Sequence, residues 1–293
     1  MKTYCFNILL AVLSALTFQG CRSDEPFKHV VFADSPEMFN LITYEGKGSR
    51  GAGEIAEDVS YYIVFDDVKR SATLTINNLR TDNGERGIIA TFSDVTWTYE
   101  PGSHEKRRII ECAELHSDPN PGADITLTDV TIIYNETNEL DPEPSAGFYA
   151  SFVVNGTLRF TAFPYKIYAD GTTEIVATGG YGGSRDIDYD ATYNVSFDPE
   201  RMTATLSAED FDLGGKKISF MTAPLTLSLT DTGYTFRNTS ATTLQSSEAG
   251  FTVSRLSAKA ELRGNLMIEM DVALNGKTYE VTATLSPNRS VLM

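Results

Sequence analysis

The sequence predicts an all-β protein built from two tandem antiparallel β-meander domains, and three observations carry that prediction. The first is the stretch Ala191 to Leu206, ATYNVSFDPERMTATL, which reads as a hairpin. Tyr193, Val195 and Phe197 alternate with polar residues, and Met202, Ala204 and Leu206 alternate again on the way back. Between them Asp198-Pro199 turns the chain, since an Asp side chain can accept a backbone N–H and Pro presets φ. The second is that the same stretch occurs 132 residues upstream, as Tyr61 to Leu74, YYIVFDDVKRSATL. Tyr61, Phe65, Asp66, Ala72, Thr73 and Leu74 repeat without a gap, six identities in fourteen positions, which marks a duplicated unit. The third is that sustained helical periodicity is missing after the N-terminal region, while short apolar runs are joined by connections rich in Gly, Asn, Asp and Pro.

A second anchor supports the duplication. Phe152 to Gly156 (FVVNG) in copy 1 answers Val272 to Gly276 (VALNG) in copy 2. Asn-Gly between apolar alternations is a strong hairpin signal, because a type I′ turn needs φ > 0 at both central residues. Copy 1 is thus placed at 38–163 and copy 2 at 164–293, each an ordinary domain size. From Phe65 to Asn155 copy 1 runs 90 residues, and from Phe197 to Asn275 copy 2 runs 78, so copy 1 carries twelve more, expected in loops.

In copy 1 the strands are expected at 42–44, 59–65, 72–77, 87–92, 95–99, 108–115, 125–134, 148–154 and 157–163. In copy 2 they are expected at 165–168, 174–178, 191–197, 202–206, 218–221, 225–229, 234–238, 251–262, 266–274 and 277–285. Hairpin-linked strands in such number must close into a barrel or fold into a sandwich to protect their edges. The meander order favours a barrel, lipocalin-like or flattened; a β-sandwich is the alternative, because strand order alone does not fix closure.

The N-terminus carries its own signal. Lys2 followed by the apolar run Ile8 to Phe18 reads as a signal peptide covering residues 1–20. Gly20-Cys21 after that run resembles a bacterial lipoprotein signal, in which the Cys is lipidated and becomes the mature N-terminus; Phe18 and Gln19 depart from the usual pattern. Arg22-Ser23-Asp24-Glu25 resembles the acidic export tag of surface-exposed lipoproteins of Bacteroidota. The resemblance implies lipidation at Cys21, partnership with outer-membrane lipid through that acylated Cys, and display on the cell surface. The alternative is an ordinary secretory peptide cut at Ser23 or later. Residues 21–37 read as the lipidated N-terminus and a tether, although His29 to Phe32 can instead add a strand to the first domain.

Charge excludes one class of partner. Removing residues 1–20 removes a single charge, Lys2, and leaves 40 acids against 23 bases. Such a surface repels phosphate backbones, so nucleic acid is not expected as a partner. Once Cys21 is lipidated only Cys112 remains, so the mature chain has no intramolecular disulfide, and no CxxC motif is present.

Several clusters are candidates for chemistry. Trp97 and Tyr99 share a face of Val95 to Tyr99, and the run His104 to Arg108 (HEKRR), including His104 and Arg107, is basic in an acidic protein. Aromatic and basic residues together suit a glycan or a small apolar ligand, though a single Trp in a β domain is ordinarily core. The run belongs to the loop Glu100 to Glu105, longer than its counterpart Thr230 to Gly233 in copy 2; the loop Asn135 to Ala146 is likewise extended. Asp186, Asp188 and Asp190 alternate after a Gly-rich stretch and form a candidate Ca²⁺ site, against the plainer reading of a charged edge strand. Cys112, Glu114, His116 and Asp118 also fall two apart and can form a metal site or a Cys–His pair, against the plainer reading of a polar face in water. Neither GxSxG nor HExxH occurs, and no cofactor motif does.

The function expected is a non-catalytic outer-membrane surface lipoprotein that binds a small apolar ligand or a glycan through its duplicated β domains, since barrels hold ligands. The alternative is a structural or adhesive subunit: fimbrial subunits of Bacteroidota are also lipoproteins with two β domains, and residues 29–33 are a candidate exchangeable strand. An enzyme would need Glu114, His116 and an acid from another strand to converge.

Overall fold

The computed structural model describes residues 28–33, 38–45, 53–99, 107–119, 124–135, 148–178, 185–230, 233–238, 243–261 and 265–287. They form twenty-two strands and, among the described residues, no helix. Every pairing is antiparallel.

Copy 2 is a closed barrel. β14 (Thr192–Asp198) and β15 (Thr203–Asp212) form the hairpin foreseen from sequence. β15 pairs β17 (Leu225–Thr230), and the chain of pairings continues through β18 (Gly233–Asn238), β20 (Thr252–Glu261), β21 (Leu266–Leu274) and β22 (Lys277–Pro287). β12 (Lys166–Thr178) then pairs β22 through Ala169–Thr178 and β14 through Lys166–Asp170, which closes eight strands on themselves. β13 (Arg185–Asp188) adds beside β12, while β16 (Lys217–Thr222) and β19 (Thr243–Ser246) extend from β15. Gly171 allows β12 to serve both neighbours: a Cβ there would lie 2.3 Å from the Thr284 carbonyl oxygen. Period-two burial lines the interior, with Tyr193, Phe211 and Phe236 among its fully buried side chains. An eight-strand barrel is narrow enough for side chains to fill it, and here they do.

Copy 1 follows the same plan, cut into two sheets. One holds β1 (Lys28–Ala33), β4 (Ser60–Asp66), β5 (Ser71–Leu79) and β6 (Ile88–Thr96), with β4 between β1 and β5. The other runs β3 (Glu54–Ala56), β2 (Met38–Tyr44), β11 (Leu158–Pro164), β10 (Phe148–Val154), β9 (Thr126–Asn135), β8 (Arg107–His116), β7 (Thr98–Tyr99). The chain passes from the first sheet to the second through Trp97, between β6 and β7. β1 lies within the stretch that reads as a tether, and it takes the alternative course: it pairs β4, with Val31 opposite Ile63 as Ile167 is opposite Val195 in copy 2. Together β1 and β2 stand where copy 2 has the single strand β12.

The backbone preserves the duplication more closely than the residues do. Arg70 and Met202, 132 positions apart, both have positive φ, 56° and 50°. So do Asn78 and Asp210, and the Asn155 and Asn275 of the two Asn-Gly turns. The β5–β6 register shifts between Ile76 and Leu79, and the β15–β16 register shifts at the matching place, between Ala208 and Phe211. Buried Tyr61 donates to Asn40 Oδ1 at 2.5 Å, and buried Tyr193 shares a 2.9 Å hydrogen bond with Thr173. Burial pushes both phenols well above the ordinary tyrosine range.

The copies meet across a shared wall. On β2, Met38 and Ile42 face the copy 1 core while Phe39 and Leu41 join the copy 2 core; on β11, Phe160 and Ala162 face copy 1 and Phe163 faces copy 2. Phe39 stacks on Phe163 with centroids 5.7 Å apart and meets Tyr165 at 5.1 Å. With both faces covered, β2 is buried continuously from Met38 to Ile42, where a one-sided strand would alternate.

Candidate functional site

The two copies differ in side chains at the barrel end where the β4–β5 turn meets β7 and β8. In copy 2 this end is closed by apolar groups. Met202 accepts a backbone hydrogen bond from Leu227 at 2.9 Å, Leu229 lies opposite Tyr234, and the Tyr234 ring meets Phe197 at 4.9 Å. In copy 1 the backbone is the same. Arg70 accepts from Trp97 N–H at 3.2 Å, and Tyr99 lies opposite Arg108. Arg70, Trp97, Tyr99 and Arg108 thus replace Met202, Leu227, Leu229 and Tyr234.

The replacements form one aromatic and cationic cluster. Trp97 and Tyr99 meet edge to face, centroids 5.1 Å apart at 87°. The Arg70 guanidinium sits in their corner, 4.7 Å from the Trp97 ring and 4.8 Å from Tyr99. Arg108 lies 5.1 Å from Phe65 and 5.0 Å from Trp97, and its Nη2 donates to both oxygens of Asp67 at 3.0 and 3.3 Å. This pairing gives an arginine only 2% exposed a carboxylate partner in the core. Trp97 is buried, with Nε1 donating to the Ser71 carbonyl at 3.1 Å, whereas Tyr99 is 37% exposed and Arg70 is exposed.

Of the sequence candidates, Trp97, Tyr99 and Arg107 come to this end, Trp97 as core and Arg107 half-buried at the start of β8. His104 and Cys21 lie outside the described residues, as does the signal peptide. Arg107 pairs with Asn135 across β8 and β9, so the chain enters both of its extended loops from this one end. Arg70 was not a candidate; its signal was the charged residue standing where copy 2 has Met202.

The acidic triplet is a correction. Asp186, Asp188 and Asp190 do not converge, because β13 ends at Asp188 and the chain turns before Asp190. Asp188 is buried and accepts backbone N–H groups of Asp190, Ala191 and Asp212 at 2.9, 3.3 and 2.8 Å. Asp186 accepts from Ile187 N–H, and Asp190 pairs with Lys217 at 3.1 Å. Each carboxylate serves its own protein donors, and among the described residues no group of three His, Cys, Asp or Glu could hold a metal ion.

The β8 set is likewise dispersed. Cys112 packs against the copy 1 core, and burial pushes its thiol up, away from a reactive thiolate. Exposed His116 pairs with Glu114 at 2.9 Å and touches Thr126 Oγ1 at 3.2 Å, while Asp118 accepts from the Ser93 hydroxyl at 2.6 Å. A shallow depression of about 450 Å³ lies beside Cys112 and Asp129, lined also by Glu111, Ala113, Val130 and Thr131.

No protein-family model matches the chain, and no curated protein matches its sequence. Two of the thirteen solved chains similar to it at low level illustrate the likeness. One is a double mutant of the vaccine antigen transferrin-binding protein B from Haemophilus parasuis Hp5, at 9% identity and a TM-score of 0.26, covering 90% of this chain and 76% of that one. The other is intact Ap-TbpB with N and C lobes, at 7% identity and a TM-score of 0.23, covering 89% and 77%. Similarity of this degree carries neither ligand nor partner across.

Proposed function

We propose that this protein is a non-catalytic lipoprotein of the outer-membrane surface, anchored through Cys21, which binds a glycan on the aromatic and arginine end of copy 1. The observation that supports it most is the substitution of an apolar barrel end by an aromatic and arginine cluster on an unchanged backbone. Loops and barrel ends are where scaffolds carry binding. The filled interior of copy 2 argues against a small apolar ligand inside that barrel, and a partly exposed Tyr99 suits the flat apolar face of a sugar ring.

The test is binding of the full mature chain to a panel of immobilised glycans. A defined subset should be retained, and Tyr99→Ala should weaken that binding by about tenfold or more through loss of ring contact. Absence of any retained glycan, or full binding by Tyr99→Ala, would overturn the reading. The structural or adhesive alternative draws on β1, which completes an edge at β4 in the way that a strand from another copy could. A ladder of oligomers in native mass spectrometry would favour it.

A further inference from the structure

Among the described residues Arg70 has no charge partner. Its position does not require arginine, since Met202 holds the same positive φ and the same backbone hydrogen bond in copy 2. Two perpendicular rings fix its guanidinium at 4.7 and 4.8 Å. No carboxylate among the described residues pairs with it. The acids of its own turn are engaged elsewhere: Asp66 accepts from Val68 and Lys69 N–H at 3.0 and 2.9 Å, and Asp67 holds Arg108. By contrast Arg80, Arg108, Arg159, Arg185, Arg201 and Arg255 each pair with a carboxylate.

An exposed arginine without a partner is ordinary on a protein surface. This one differs because two rings confine its guanidinium carbon, 4.7 and 4.8 Å from their centroids, so less side-chain entropy is lost when its donors are used. The N–H edge of a guanidinium matches a carboxylate with two parallel hydrogen bonds. The neighbouring Tyr99 ring offers contact to the carbon skeleton that bears the carboxylate. We infer that Arg70 and Tyr99 form a subsite for the carboxylate of an acidic sugar. The inference rests on the glycan-binding reading above and names the chemical class that the same barrel end selects.

Trp97 is the single tryptophan of the chain and touches Arg70, so its fluorescence reports occupancy of this subsite directly. The full mature chain is titrated with glucuronate and N-acetylneuraminate, and in parallel with the methyl ester of each. The acids should shift Trp97 emission with a midpoint at least about tenfold below that of their esters, the worth of one charge-assisted pair. Arg70→Met should abolish the preference at an unchanged melting temperature, and Arg70→Lys should keep only part of it, because an ammonium cannot make the fork. Equal midpoints for acid and ester, or a preference that survives in Arg70→Met, would overturn the inference. Glycans retained on the panel by wild type and Arg70→Met alike, together with equal midpoints for acid and ester, would remove the carboxylate subsite and leave the glycan reading standing. Silence toward both acids and esters, with no glycan retained on the panel, would remove both.

Discussion

Copy 1 and copy 2 share a backbone and differ in how they close. Copy 2 closes by one continuous strand, β12, which serves β14 and β22 in turn. Copy 1 uses two strands for the same course, β1 on β4 in one sheet and β2 on β11 in the other. At the matching barrel end copy 2 is sealed by Met202, Leu227, Leu229 and Tyr234, and copy 1 by Arg70, Trp97, Tyr99 and Arg108. The turns at Arg70 and Met202 keep positive φ in both. The lesson is a division of constraint. Hairpin geometry fixes where the backbone must turn left-handed, whereas side chains at an end need only seal it, and copy 1 seals it with charge.

The largest test of this comparison is the pair Phe65→Asp and Phe197→Asp. Phe197 is buried against Tyr234, so its replacement places a carboxylate with no cation beside it, at a cost of about 4 kcal/mol. Phe65 lies 5.1 Å from the Arg108 guanidinium, so an aspartate there can borrow that cation and should cost about 2 kcal/mol. Urea denaturation at fixed pH measures both. Equal losses would mean that Arg108 is not a usable charge inside copy 1.

The hairpins were legible because alternation, Asp turns and Asn-Gly each have one structural outcome. Tyr61, Phe65, Tyr193 and Phe197 fell inward as their period required. Short edge strands were not legible: β3, β13 and β19 have three or four residues, too few to show a period. From sequence β12 reads as two strands, 165–168 and 174–178, with Gly171 between them. Its glycine instead admits the close approach of Thr284 within an extended strand. β2 hid for a different reason, its second face being buried by the other copy. At the candidate site Trp97 and Tyr99 were legible as aromatics on one face. Arg108 read as part of a surface run, because its partner Asp67 is 41 residues away in sequence.

A smaller test concerns the buried tyrosines. Tyr61→Phe leaves Asn40 without its donor, and the Asn40 amide nitrogen already finds no acceptor among the described residues. The whole amide is then buried unsatisfied, and the loss should be about 2 kcal/mol. Tyr193→Phe strands only the Thr173 hydroxyl and should cost about 1 kcal/mol. A larger loss for Tyr193→Phe in urea denaturation would invert the order and show that the Asn40 amide is satisfied by water.

The smallest expected difference lies in the turns that first revealed the duplication. Asp66 accepts two backbone N–H groups, from Val68 and Lys69. Asp198 accepts one, from Arg201 at 3.0 Å, and pairs with the exposed Arg201 side chain at 3.1 Å. In copy 2 the next residue is Pro199, whose ring presets φ for the turn, while copy 1 has Asp67, whose carboxylate is committed to Arg108. Asp66→Ala therefore removes most of what holds its turn and should cost about 1 kcal/mol. Asp198→Ala leaves the proline in place and loses only one backbone bond and a surface ion pair, about 0.5 kcal/mol. Because the first turn also carries Arg70, Asp66→Ala should weaken any acid-over-ester preference seen in Trp97 fluorescence, while Asp198→Ala should leave it untouched. An unchanged preference in Asp66→Ala would show that the two rings alone, and not the turn, hold the Arg70 guanidinium in place.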